Sequence, residues 1–107
     1  MARRSPFTIN YAPEVYKHLD WIEPKYHRLV ETTIREQLAY TPATETRNRK
    51  PLEKPASFGA TWELRFGPKN SFRVFYDVNN EEKTVSVLAF GVKEGNRLFI
   101  GGEEFEL

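Results

Sequence analysis

Arg65 and Arg73 are the residues of this 107-residue chain whose type and placement point most directly to chemistry. Both lie in runs where apolar and polar residues alternate, Thr61 to Gly67 and Phe72 to Val78, so a strand in each run puts the arginines on its polar side together with Glu63, Phe75 and Asp77. A guanidinium stays protonated at any working pH, and its planar fork matches two oxygens of a phosphate. Fixed donors of this kind contribute about 3 kcal/mol where negative charge builds up in a transition state. Arginine does not shuttle protons, however, so Glu63 is the candidate base beside the pair. A basic stretch just upstream, Arg47, Arg49, Lys50 and Lys54 with only Glu53 interspersed, adds to the case for an anionic partner. The bland alternatives are a solvated charged loop and cross-strand ion pairs, such as Arg65 with Asp77, that merely keep a sheet face wet.

Such a face needs elements to hold it, and the order of elements is legible. Phe7, Ile9 and Tyr11 alternate with Thr8 and Asn10 as in a short strand, and Pro13 suits the first position of a helix. Val15, Leu19 and Ile22 keep helical spacing until Pro24 ends that run near Glu23. From Pro24 a second helix carries Tyr26, Leu29, Val30, Ile34 and Leu38 on one side, with His27, Arg28, Glu31, Arg35 and Glu36 facing away, as far as Thr41-Pro42. Together the two form a helical hairpin. Thr41 to Ala60 holds Pro42, Pro51, Pro55 and Gly59 without a sustained period, which predicts a loop of about twenty residues, a length that is often functional in a small domain.

After the loop the period is two. Trp62, Leu64 and Phe66, a turn at Gly67-Pro68-Lys69-Asn70, and then Phe72, Val74, Tyr76 and Val78 make a β-hairpin with one apolar side. Thr84 to Phe90 is apolar on both parities, as in a central strand. Gly91 to Asn96 interrupts it, and Leu98 to Ile100 forms a last short piece before Gly101-Gly102 and the acidic end. The expected architecture is α+β, in β-α-α-β-β-β order, with the two helices on one face of a mainly antiparallel sheet.

Composition narrows the field further. One domain spanning residues 1–107 fits the length, and with 39% apolar and 14% aromatic residues the chain has enough to fold. There is no cysteine, so thiolate nucleophiles, disulfides and thiolate metal sites are excluded, in keeping with a cytoplasmic location. Met1 to Pro6 is basic but has no apolar run behind it, and no window reaches the roughly 18 apolar residues of a membrane helix. Glu103, Glu104 and Glu106 sit at the acidic end, leaving 16 basic against 12 acidic groups over residues 1–102. That end either caps a basic face or is solvated. His18 and His27 are nine residues apart, too far for a metal pair on one helix turn, and read as surface or packing residues. Gly101-Gly102 lacks the strand-to-helix setting of a phosphate loop, and Trp21, Trp62 and Tyr76 read as core aromatics.

In order and spacing, Pro51-Leu52-Glu53, then Thr61-Trp62-Glu63-Leu64-Arg65-Phe66-Gly67, Phe72-Arg73-Val74-Phe75-Tyr76-Asp77-Val78 and the Gly91-Val92-Lys93 turn, the chain resembles toxins of the RelE/ParE superfamily from prokaryotic toxin–antitoxin modules. The resemblance covers nearly the whole length. It implies a RelE-like fold and a toxin neutralised by a cognate antitoxin protein. The toxin would act either as a metal-independent, cofactor-free endoribonuclease on mRNA at the ribosome or, in the ParE branch, on DNA gyrase. A third alternative is an inactive relative that only binds its antitoxin.

Within the resemblance, Arg73 matches the arginine used on the scissile phosphate and Arg65 a basic residue on the preceding strand. Lys93 falls where a further transition-state cation stands. Phe99, beside Arg97, falls near a stacking or proton-transferring tyrosine, and it can stack but not transfer a proton. The catalytic lysines of the second strand align with Thr61 and Glu63, and the loop glutamate of a related subgroup aligns near Lys50, so neither set is intact. Catalytic roles are therefore expected at Arg73, Arg65, Lys93 and Glu63, and RNA contacts at Arg47, Arg49, Lys50, Lys54, Arg97 and Phe99. Attack by a ribose 2′-hydroxyl needs cations, a base and an acid. Lys93 suits the acid, and a composite site completed by the ribosome supplies what the chain lacks.

Overall fold

The computed structural model describes residues 5–106; the basic start Met1 to Arg4 and the final Leu107 lie outside the described residues. Strand β1 (Thr8–Tyr11) leads into helix α1 (Pro13–Leu19), which has Pro13 at its first turn, and a single 3-10 turn (Pro24–Tyr26) leads into α2 (His27–Leu38). Four strands follow the expected plan, β3 (Trp62–Phe66), β4 (Phe72–Asn79), β5 (Thr84–Glu94) and β6 (Arg97–Ile100); a short β2 (Arg49–Pro51) precedes them and β7 (Glu103–Phe105) follows. β5 continues through Gly91 to Glu94, where the sequence predicts a break, because Gly91 to Glu94 pair with β6. The sheet runs β2-β3-β4-β5-β6-β7, every neighbouring pair antiparallel, and β1 is added in parallel beside the first half of β5. β6 occupies the second half of the same β5 strand.

Three further sequence expectations are corrected here. The twenty-residue loop is divided by β2, because Arg49 to Pro51 pairs with Trp62 to Leu64. The acidic end is a strand rather than a solvated tail, because Phe105 pairs with Leu98 and contributes to a second core. Trp21 is not a core aromatic: it is 67% exposed, its ring lying over the backbone of Gly102, where a Cβ would come within 2.7 Å.

The apolar side of the β-hairpin packs beneath the helices as its alternation requires. Val15, Val30, Ile34 and Leu38 meet Leu64, Phe66, Phe72, Val74 and Tyr76. Each fully buried side chain of this size stabilises the fold by about 1.5–3 kcal/mol. Tyr76 is buried throughout and donates its hydroxyl to the Pro42 carbonyl at 2.8 Å, stitching the loop after α2 to the sheet. The mixed parity of β5 has a cause in the register. Phe75 pairs with Ala89 but Tyr76 pairs with Val87, so Leu88 is an extra residue. Such a bulge reverses the alternation. Val85, Val87 and Phe90 therefore face the helices while Ala89 faces the other way.

Gly67 opens the β3–β4 turn with φ +83, and a Cβ there would fall 2.4 Å from the Phe72 ring. That ring is held edge-on by Tyr26 and Phe66 and cannot retreat. Gly67→Ala is expected to cost about 2 kcal/mol through overpacking and backbone strain, measurable by urea titration; an unchanged midpoint means the turn adapts freely.

Both histidines hold the helical hairpin in place. His27 Nε2 donates to the Leu19 carbonyl at the end of α1 at 3.0 Å, and the Phe90 amide donates to His18 Nδ1 at 3.2 Å. Burial lowers His18 from its ordinary value, with Glu14 opposing. A neutral ring is what the Phe90 contact needs, since a protonated Nδ1 accepts nothing. Because the folded pKa is depressed, the unfolded chain takes up a proton first. This contribution is complete above about pH 6.5 and is lost as pH falls through the folded value. Thermal melting is expected to drop between about pH 7.5 and pH 5 by more in the parent than in His18→Asn, which retains an acceptor without titrating. Equal drops place the sensitivity elsewhere.

Candidate functional site

β3 and β4 run antiparallel with Arg65 directly opposite Arg73 and Glu63 opposite Phe75, while Lys50 of β2 stands opposite Glu63. Alternation puts all of these on the sheet face away from the helices. That face is not open water. Leu52, Ala56 and Phe58 of the loop and Leu98, Ile100 and Phe105 of β6 and β7 fold over Phe75, Ala60 and Ala89 to make a second small core. At its margin Glu63 and Arg73 are only 6% and 7% exposed.

Glu63 is the hub of the charges. Its Oε1 lies 2.9 Å from Arg73 Nε and 3.6 Å from Arg65 Nε, and its Oε2 lies 3.8 Å from Lys50 Nζ. Arg73 Nη1 also donates to the carbonyls of Asn70 and Phe72, which fixes the plane of the guanidinium. Burial lowers the Arg73 pKa from its ordinary value, and the adjacent Glu63 carboxylate counters this. Arg65 Nε is buried without a hydrogen-bond partner. The Arg65–Asp77 ion pair of the blander alternative does not form; the Thr61 hydroxyl donates to Asp77 instead.

Arg73 and Lys93 border two depressions. A cleft of about 410 Å³ is lined by Glu63, Arg73, Phe75, Lys93, Leu98 and Phe105. A second, of about 470 Å³, lies past the β3–β4 turn, where Lys69 and Ser71 join Arg73 and Lys93. Around the first, Lys50, Arg65, Arg73 and Lys93 set four cations against the single Glu63 carboxylate at the hub, while Glu104 and Glu106 line its outer side. Lys93 is exposed and so can reach a ligand. Lys69, which the sequence marks only as a turn residue, joins this second depression; its closeness in sequence to Arg73 is the one signal that points to it.

Arg65, Arg73, Lys93 and Glu63 are thus brought together, and Lys50 joins them. Arg47 and Lys54 are exposed on the loop to either side of β2. Three of the RNA contacts expected from sequence are placed elsewhere. Arg49 is turned inward at 6% exposure, its Nη1 donating to the carbonyls of Gln37 (2.7 Å) and Thr41, so it ties the end of α2 to the loop and has no donor edge left for RNA. Phe99 pairs with Val92, which packs on the helix-side core, so Phe99 and its alternate neighbour Arg97 lie on the opposite side of the sheet from Arg73 and Lys93. There Arg97 stacks 5.3 Å from the Phe99 ring and binds Glu104 through Nη2 and Nε at 2.7 and 3.2 Å. That bond holds the Glu104 carboxyl below its ordinary value.

Elsewhere on the surface, an apolar groove of about 420 Å³ runs between the helices and β1, lined by Ile9, Tyr11, Tyr16, Leu19, Val30 and Ile34. Among the described residues no helix is long and apolar enough to cross a membrane, and no group of three or more His, Asp or Glu is placed to hold a metal ion.

No protein-family model matches the chain, and no curated protein matches it in sequence. Among solved structures it is similar to a chain of the toxin–antitoxin complex RelBE2 from Mycobacterium tuberculosis, with a TM-score of 0.66 and 23% identity over 82% of this chain and 99% of that one. The α+β, RelE-like architecture expected from the sequence is the one observed.

Proposed function

We propose that this chain is the toxin of a toxin–antitoxin module and that it cleaves mRNA on the ribosome, taking a backbone phosphate into the cleft at Arg73 and Lys93. The observation that carries the reading is the cluster of cations at the inner wall of the cleft: Lys50, Arg65 and Arg73 surround the Glu63 carboxylate and Lys93 lines the same cleft, with Glu104 and Glu106 on the outer side, on a fold shared with a chain of a toxin–antitoxin complex. In this reading Arg73, whose Nη2 is the donor not engaged by Glu63 or by the Asn70 and Phe72 carbonyls, and the Lys93 ammonium neutralise charge on the phosphate as the 2′-hydroxyl attacks, and Lys93 delivers the proton to the leaving oxygen. Arg65, Lys50, Arg47 and Lys54 attract the flanking backbone, which makes binding fall steeply with salt. Arg49, Arg97 and Phe99 take no part. The base that removes the hydroxyl proton comes from the ribosome-bound substrate assembly, which also places the protein in the cytoplasm. An antitoxin with an amphipathic segment covers the apolar groove between the helices and β1.

Inducing the chain alone in a bacterial host and sequencing RNA 5′ ends tests this reading. New ends within translated regions, absent with Arg73→Ala, are expected. Growth arrest with intact mRNA and a DNA-damage response would transfer the assignment to gyrase, and harmless induction would mark an inactive relative.

A further inference from the structure

We propose that Glu63 is a positioning residue, the built-in counter-anion of the cleft, and that it stands where an incoming phosphate competes for the same cations. The inference deepens the functional reading above and replaces the expectation that Glu63 is the general base. Arg65 and Arg73 face each other across β3 and β4 in the same register. Side chains in such a pair start only about 5 Å apart at Cβ, and like charges there are unfavourable. Arg73 is 7% exposed, so water does little to screen it. Glu63, two residues before Arg65 on the same side of β3, lies against both guanidiniums and against Lys50.

The carboxylate is turned toward the cations, Oε1 held by Arg73 at 2.9 Å with Arg65 at 3.6 Å and Oε2 facing Lys50 at 3.8 Å, so its charge is committed to its neighbours before any substrate arrives. Meanwhile its hold on Arg73 Nε, with the Asn70 and Phe72 carbonyls on Nη1, fixes the guanidinium at the cleft wall. Arg65 Nε has no hydrogen-bond partner at all, so one carboxylate does not satisfy the donors around it. A phosphate in the cleft lined by Arg73 and Lys93 adds oxygens to the same charge cluster without having to reach that enclosed nitrogen.

Glu63→Gln is nearly isosteric and keeps an acceptor for Arg73, but it removes the charge. The test is thermal unfolding of the parent and the variant in chloride buffer and in inorganic phosphate at matched ionic strength. In chloride the variant is expected to melt below the parent. Added phosphate, at about ten times the parent's Kd, should then raise its melting temperature about twice as far, corresponding to about tenfold tighter phosphate binding. The double variant Glu63→Gln/Arg65→Gln removes the like-charge contact as well and is expected to regain stability in chloride, which provides a readout even if the single variant folds poorly.

Where RNA cleavage is measured, Glu63→Gln should keep the acid limb of the parent pH profile. Unchanged phosphate affinity, a double variant as unstable as the single one, or loss of the acid limb with Glu63→Gln would each overturn the proposal. The phosphate arms need no nuclease activity, so failure of the RNA reading and failure of the counter-anion reading are separately visible.

Discussion

Arg73→Ala is expected to lose at least about 100-fold of the RNA-cleaving rate and to relieve growth arrest. Removing one preorganised donor from a developing oxyanion typically has an effect of that size. It also removes the closest partner of Glu63, at 2.9 Å. Breaking a buried pair from one side costs about 3–5 kcal/mol, reduced here because Arg65 and Lys50 remain. Loss of activity must therefore be shown in folded protein. Arg73→Lys provides that control: it keeps the charge beside Glu63 but lacks the fork that reaches the Asn70 and Phe72 carbonyls as well. The lysine variant is expected to retain its circular dichroism spectrum and most of its melting temperature, while its cleavage rate falls by about tenfold or more. An Arg73→Ala chain that remains folded and fully toxic would remove the cleft from the mechanism.

Arg49→Met is expected to be the most damaging substitution for stability among the basic residues, at about 3–4 kcal/mol. The methionine fills much of the same space, so the loss is chiefly that of a charged donor serving the Gln37 and Thr41 carbonyls, each such bond contributing about 1.5–3 kcal/mol. Gln37 lies in the last turn of α2, where carbonyls lack helical partners. For a domain of this length the melting temperature should fall by about 15 °C. Lys50→Met and Lys54→Met, on exposed positions nearby, should shift it by no more than about 2 °C. RNA affinity is expected to show the reverse order once each variant is folded. An Arg49→Met protein as stable as its parent would mean that the helix end and the loop are held by other contacts.

The case of Arg49 shows why composition misleads here. In sequence it is one of four cations in a polar stretch, indistinguishable from Arg47 or Lys50. Three residues of strand pairing turn it under the loop, and that pairing depends on partners more than ten residues away. Arg97 and Phe99 fail for a related reason. Their side of the sheet follows from a register counted through the Leu88 bulge and the Gly95-Asn96 turn, and one extra residue reverses every side chain beyond it. Trp21 has the size and apolarity of a core residue, yet α1 ends at Leu19 and the tryptophan that follows is left exposed.

The sequence by itself determined the order of the elements and their α+β class, and which side of β3 and β4 is apolar. It also determined that Glu63, Arg65 and Arg73 share the other side. All of these follow from local periodicity, which a chain carries within a few residues. Only the tertiary structure decided that this other side is half covered by residues 52–60 and by β6 and β7, that Lys93 arrives beside Arg73, and that Glu63 is enclosed by three cations. Alternation fixes a direction relative to the strand, but burial and charge pairing depend on what distant segments bring to that direction. Those segments are positioned by pairing registers and a bulge that no short window of sequence contains.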